Sequence, residues 1–243
     1  MNLSQQRGHE WLATQGFNLQ AVMRADQWPQ RLRQSMEDCQ VNIESSRRFV
    51  MLGAGGRLLW EQLGGDLTDS DHPLDAFSVN AAGRVVTEYW GGGEVEILYP
   101  GPILVPLQQL GVFAGWSHVS PLGFGINTEF GTWFAYRALF ALDNPLQETV
   151  PLASQGTPCD RCVEKPCRSA CPAGAVRLHE SFDLGRCVSH RLKPASSCAD
   201  RCLARLACPV GQDWRYDEDQ LVYHGQRSLA SLRAWREEQS DSN

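Results

Sequence analysis

Apolar and polar positions in the first part of the chain change spacing several times, and each change marks an element. Residues 4–14, SQQRGHEWLAT, are helix-like, and GFNLQAVMRA alternates as a strand after a turn at Gly16. Gln30 to Ile43 reads as a second helix, with Leu32, Met36 and Cys39 on one face. RRFVMLGAGGRLLWEQL passes from an apolar run, Phe49 to Leu52, through a glycine-rich turn into a helix. Residues 83–99 read as a hairpin or edge pair, RVVTEYW and EVEILYP, joined by Gly91, Gly92 and Gly93. Leu104, Leu107 and Leu110 then fall at helical spacing, and WFAYRALFALD reads as a buried strand. Gly131 and Trp133 ahead of that strand indicate close packing against something flat; Trp133, Phe134 and Tyr136 suit either a core or a cofactor wall.

A linker is expected over residues 144–158, which hold three prolines and a glycine. A C-terminal helix is expected over residues 226–238, with a frayed polar tail from Gln239. The chain therefore divides into an α/β domain at 1–150, a cysteine-rich domain at 151–216 and a C-terminal helix and tail at 217–243. Gly53, Gly55 and Gly56 invite a dinucleotide-binding reading but fit only part of G-x-G-x-x-G, because Leu58 occupies the last glycine position. A plain turn is the simpler account.

Composition sets the class. With 42% hydrophobic residues over 243 positions, the chain can build one substantial domain and a smaller one. No apolar run approaches the roughly 18 residues needed to cross a bilayer, and MNLSQQRGHEWLATQGF has no apolar stretch of the signal-peptide kind. A soluble, cytoplasmic protein without a membrane partner is expected. Charge is uneven: residues 157–216 hold ten Lys and Arg against six Asp and Glu, and the remainder twelve against twenty-two. Arg161, Lys165, Arg168, Arg186 and Arg201 in the basic part would offset negative cluster charge, with a solvated basic face as the alternative. The acidic remainder argues against a nucleic-acid partner.

Eight of the nine cysteines lie between Cys159 and Cys208. Cys159, Cys162, Cys167 and Cys171 read C-x2-C-x4-C-x3-C-P; Cys187, Cys198, Cys202 and Cys208 follow, the last again before a proline. Thiolates at this density, in a chain expected in a reducing compartment, point to two 4Fe-4S clusters. A cysteine just before proline is carried into the next segment and ligates the other cluster in two-cluster ferredoxins. The spacing thus predicts one cluster on Cys159, Cys162, Cys167 and Cys208, and another on Cys171, Cys187, Cys198 and Cys202. Structural zinc and disulfides compete; zinc favours two C-x2-C pairs, of which only Cys159/Cys162 is present, and disulfides need an oxidising compartment. Cys39 stands apart and reads as a buried small hydrophobe.

GFNLQAVMRADQWP, AGWSHVSPLG, GTWFAYRALFALD, CDRCVEKPCRSACPAGAV and RCVSH together resemble the epoxyqueuosine reductases, which are two-cluster, cobalamin-dependent enzymes related to reductive dehalogenases. GTWFAYRAL is also similar to the cobalamin-processing proteins of the cobalamin C type, which have no clusters. The resemblance implies a nitroreductase-like α/β sandwich followed by a ferredoxin-like module, with cobalamin held between them. It implies further that residues 101–135 line the cavity, with Gly115, Trp116, Gly131, Trp133 and Arg137 as cofactor contacts. Arg137 within an apolar strand needs a partner, either a ligand carboxylate or amide or Glu129.

This chain departs from the family where it carries an acidic proton donor, since Tyr99 falls near that position when Gly115-Trp116 is aligned to the glycine-tryptophan motif. Ser117, His118, Val119 and Ser120 replace a glycine and lysine, and the helical repeats that help hold transfer RNA are not found. Tyr99 or His118 would donate the proton, His having the more suitable ordinary pKa. The expected activity is a cobalamin-linked iron-sulfur oxidoreductase acting on a small molecule or on cobalamin itself. It would be supplied by an electron donor such as a flavodoxin or a ferredoxin reductase system. The alternatives are a ferredoxin-type electron carrier serving a partner enzyme and a divergent epoxyqueuosine reductase.

Overall fold

Four segments of the chain become strands, and the two with continuous apolar runs lie at the centre of the sheet. The computed structural model describes residues 2–64, 71–149, 156–177 and 180–241. Contacts divide the chain into two units, residues 1–117 with 134–154 and residues 118–133 with 155–243. Residues 150–155 of the expected linker and the end of the expected tail lie outside the described residues.

The first unit holds α1 (Leu3–Thr14), β1 (Leu19–Met23), α2 (Gln30–Asp38), β2 (Arg48–Gly55), α3 (Leu58–Gln62), α4 (Pro73–Tyr89), β3 (Glu96–Tyr99), α5 (Leu107–Phe113) and β4 (Phe134–Leu142). The strands form one antiparallel sheet in the order β1-β2-β4-β3. This is a mixed α/β architecture. β2 and β4 are central, which is why Phe49 to Leu52 and Ala138 to Leu142 are buried without alternation. Burying Phe49 or Phe140 contributes about 1.5–3 kcal/mol each.

Three expectations are corrected. Residues 83–89 are the last turns of α4, not a strand, because Leu74, Ser78, Ala81, Ala82, Val85 and Val86 form one buried helical stripe. Gly53 and Gly55 are strand residues of β2, and the antiparallel pairing on both its sides rules out a β-α-β dinucleotide unit there. α2 ends at Asp38, so Cys39 is its half-buried C-cap, with the thiol directed at the Leu104 carbonyl, 3.3 Å away. Leu104 itself is 92% exposed, off the helix that buries Leu110.

Gln5 is buried in α1 and exchanges two hydrogen bonds with the Gln147 backbone, donating through Nε2 at 2.8 Å and accepting at 3.0 Å. His9, one turn on, lies 2.6 Å from Gln20 Oε1, whose amide nitrogen is spent on the carbonyls of His9 and Phe17. His9 Nδ1 is therefore the donor. Burial holds the His9 pKa below its ordinary value, outweighing the Gln20 bond that raises it. The unfolded chain then binds this proton more readily than the folded one. Stability from His9 is fully present above the ordinary pKa of 6.5 and falls as pH drops toward the lower folded value. Denaturant midpoints of the protein and of His9→Gln should converge at pH 5.5 relative to pH 7.5; parallel midpoints would refute this.

The second unit is built from short helices: α6 (Pro158–Arg161), α7 (Pro166–Ser169), α8 (Leu184–Arg191), α9 (Leu203–Leu206) and the long α10 (Glu218–Asp241). α10 starts eight residues before Gln226, the expected start. Leu122, Val176 and Ala204 form one core cluster, with Phe124 and Phe182 against it; Trp133, Tyr216 and Leu221 form another. Residues 118–133 fold on themselves through bridges His118–Ile126 and Asn127–Gly131. Among the described residues no helix is long and apolar enough to cross a membrane.

Candidate metal centre

Short helices bounded by proline place the cysteines. Thr157 caps α6 by accepting from the Cys159 N–H at 3.2 Å, Cys162 ends that helix, and Pro166 starts α7 so that Cys167 is its second residue. Lys165 turns the chain with left-handed backbone, and its ammonium donates to the Cys159 carbonyl. Asp183 caps α8, which carries Cys187, by accepting from Arg186 N–H at 2.9 Å, and Arg177 pairs with the same carboxylate. Cys202 caps α9, and the Cys208 N–H donates to the Arg205 carbonyl at 3.1 Å.

Two cavities gather these thiols. Cys159, Cys162, Cys167 and Cys208 line a space of about 20 Å³ walled by Leu122, Ile126 and Val210. Cys171, Cys187, Cys198 and Cys202 line a larger one of about 380 Å³, with Leu122, Phe124, Trp133, Phe182, Tyr216 and Arg205 in its wall. Burial pushes the thiols of Cys159, Cys167, Cys187, Cys202 and Cys208 above their ordinary range, and the cysteines that add to the shift come from the same group of four each time. Among the described residues no three His, Cys, Asp or Glu side chains converge as ligands of a single ion.

Several residues that sequence reasoning missed hold this arrangement. Arg191 donates to the Cys198 carbonyl at 3.1 Å, to those of Ala199 and Gly225 at 3.1 and 3.3 Å, and to Ser228 Oγ at 3.0 Å. One guanidinium thus ties the Cys198 loop to α10. Gly225 brings that helix against the Asp200 backbone, where a Cβ would overlap the carbonyl. Gly131, expected from the sequence to pack closely, has φ of 59° and sits in the same way on the Val210 backbone just after Cys208. Of the cations expected to offset cluster charge, Arg186 and Arg201 are paired with Asp183, Asp200 and Glu218. Arg201 lines the larger cavity together with Asp200, and so do Arg191 and Arg205, which were not among those expected. Only a position between two ligands, as at Arg205, could have flagged them in the sequence.

The remaining predicted site residues divide between the units. His118, Gly131 and Trp133 belong with the cysteines; Tyr99, Gly115, Trp116 and Arg137 belong to the first unit. Trp116 is buried, stacked on Tyr136 at 6.3 Å. Arg137 is the residue skipped where the register of β4 slips against Leu52 and Gly53, a bulge that re-aims a side chain. Its Nε is buried without an acceptor, and it forms no ion pair among the described residues. Tyr99 lies within its field: burial and Asp75 push the phenol pKa up, and Arg137 opposes them. The phenol stays protonated near neutrality.

No protein-family model matches this chain, and no curated protein matches it. Among solved structures it is similar to epoxyqueuosine reductase from Streptococcus thermophilus, with TM-score 0.52 and 16% identity over 87% of this chain and 67% of that one. A selenomethionine-labelled epoxyqueuosine reductase gives 0.50 and 14%, over 87% of this chain and 66% of that one. The B12-trafficking protein CblC of C. elegans gives 0.46 and 11%, over 96% and 97%. The chain spans about two thirds of the length of the reductases, and at these identities the likeness to them establishes a shared fold.

Proposed function

We propose that this protein is an iron-sulfur oxidoreductase holding two 4Fe-4S clusters, one on Cys159, Cys162, Cys167 and Cys208 and the other on Cys171, Cys187, Cys198 and Cys202. The observation that carries this reading is that eight thiols surround two cavities in groups of four, each group drawing its fourth member from across the cysteine segment. Four thiols lining one space supply the donor set of a four-iron cluster. In this reading the second unit is the ferredoxin-like module and the first the nitroreductase-like sandwich, with a cobalamin-linked reduction of a small molecule, or of cobalamin itself, as the activity.

The orphaned Nε of Arg137 fits that role as a donor to an amide or carboxylate of a ligand. Tyr99, kept protonated by burial, would donate a proton or hydrogen bond beside it, with His118 as the other candidate donor. When bound, clusters supply electrons singly and a corrin cobalt supplies a two-electron centre. Electrons would come from a flavodoxin or a ferredoxin reductase system.

EPR of anaerobically purified, dithionite-reduced protein, with and without added cob(II)alamin, tests the reading. Two cluster signals and a perturbed cobalt line shape are expected. Cluster signals with an unperturbed cobalt line would remove cobalamin from the proposal, and no cluster signal would remove the clusters.

A further inference from the structure

The wall of the larger cavity includes a cation, Arg205, that forms no ion pair among the described residues. Arg205 lies on α9, between Cys202 of one group and Cys208 of the other. Its guanidinium sits over Trp133 at 4.2 Å, Tyr216 at 4.9 Å and Phe124 at 6.0 Å. Nη2 donates to the Thr132 carbonyl at 2.6 Å, while Nε is buried with no acceptor among the described residues. Of the other cations lining this cavity, Arg191 is committed to three carbonyls and a hydroxyl and Arg201 to Asp200 and Glu218; Arg215, 5.7 Å over the Trp133 ring, donates to the Leu206 carbonyl at 2.6 Å. Arg205 forms no ion pair among the described residues. A half-buried guanidinium without an acid is costly unless something negative faces it. Three ring faces recover only part of that cost.

Resting on the ligation proposed above, we propose that Arg205 is a positioning and potential-setting residue for the cluster on Cys171, Cys187, Cys198 and Cys202. Four thiolates give that cluster negative charge, and reduction adds one more unit. A fixed cation with a free N–H in the cavity wall therefore stabilises the reduced form more than the oxidised one and raises the potential. The aromatic faces hold the guanidinium in place without neutralising it, which a carboxylate partner would do. Arg is required because its charge persists at any working pH and its planar fork serves Thr132 and the cavity together.

The test is an EPR-monitored redox titration of the cluster-loaded full chain, with iron counted in each variant. Arg205→Met should keep full iron but, poised at the wild-type midpoint of this cluster, show about a tenfold lower ratio of reduced to oxidised form, equivalent to about 59 mV for one electron. Arg205→Lys should shift it in the same direction by less. The cluster on Cys159, Cys162, Cys167 and Cys208 serves as an internal reference and should move little. An unchanged midpoint in Arg205→Met with iron retained would overturn the proposal, and Arg205 would be only a tether for Thr132. Should Arg205→Met lose iron, Arg205→Gln, which keeps an N–H without charge, decides by the same midpoint. Wild-type protein with no iron on these four cysteines would instead overturn the ligation beneath it.

Discussion

Cys162→Ala is expected to lose about half of the protein's iron while remaining soluble, because one missing thiolate disturbs mainly one cubane. The informative comparison is with cysteines at other distances in sequence. Cys208→Ala, far along the chain, should abolish the same EPR signal as Cys162→Ala, because both line the smaller cavity. Cys171→Ala, only four residues beyond Cys167, should abolish the other signal, because it lines the larger cavity. Apolar packing around Leu122 and Ala204 does not depend on any one thiol, so the unit should hold together in each variant. Unchanged iron in Cys162→Ala would refute the ligation, and grouping of the Cys208 signal with that of Cys202→Ala would refute the crossover.

Gly225→Ala should reverse the usual rule for helices. Alanine ordinarily stabilises a helix interior by about 1 kcal/mol over glycine. At Gly225 the added Cβ would overlap the carbonyl, carbon and Cα of Asp200, all backbone atoms that no rotamer change can move aside. α10 must back away from the loop between Cys198 and Cys202, and the Arg191 bond to the Gly225 carbonyl goes with it. A net loss of about 1–3 kcal/mol is expected, as for other overpacked sites, together with selective loss of the iron on Cys171, Cys187, Cys198 and Cys202. Gly83→Ala in α4 is the control, since a Cβ there meets nothing within 4 Å and should stabilise by about 1 kcal/mol. Thermal midpoints and iron content of both variants check this; equal behaviour would show that the contact at Asp200 is not tight.

What the sequence carries of the candidate site is the local spacing of its cysteines. Closely spaced cysteines, with proline after Cys171 and after Cys208, predict two groups of four, and the two cavities are lined by those same groups. Arg191, Arg205, Gly225 and Tyr216 carried no such signal. Each matters through a partner distant in the chain, and an arginine or glycine among polar residues looks the same whether or not that partner exists.

The sequence by itself determined which segments are buried and where the thiols concentrate. Continuous apolar runs such as Phe49 to Leu52 must leave water, and a proline after a cysteine redirects the chain, whatever the rest of the fold does. Only the tertiary structure decided between periods and partners. Val85, Val86 and Trp90 suit a strand or a helix, and packing of α4 against α1 and β4 selected the helix. It likewise decided that residues 118–133 leave their sequence neighbours to pack with the cysteines, because Gly131 admits the Val210 backbone and Trp133 takes the Arg205 guanidinium. Such contacts are settled by shape and charge across long loops, and spacing along one chain does not contain them.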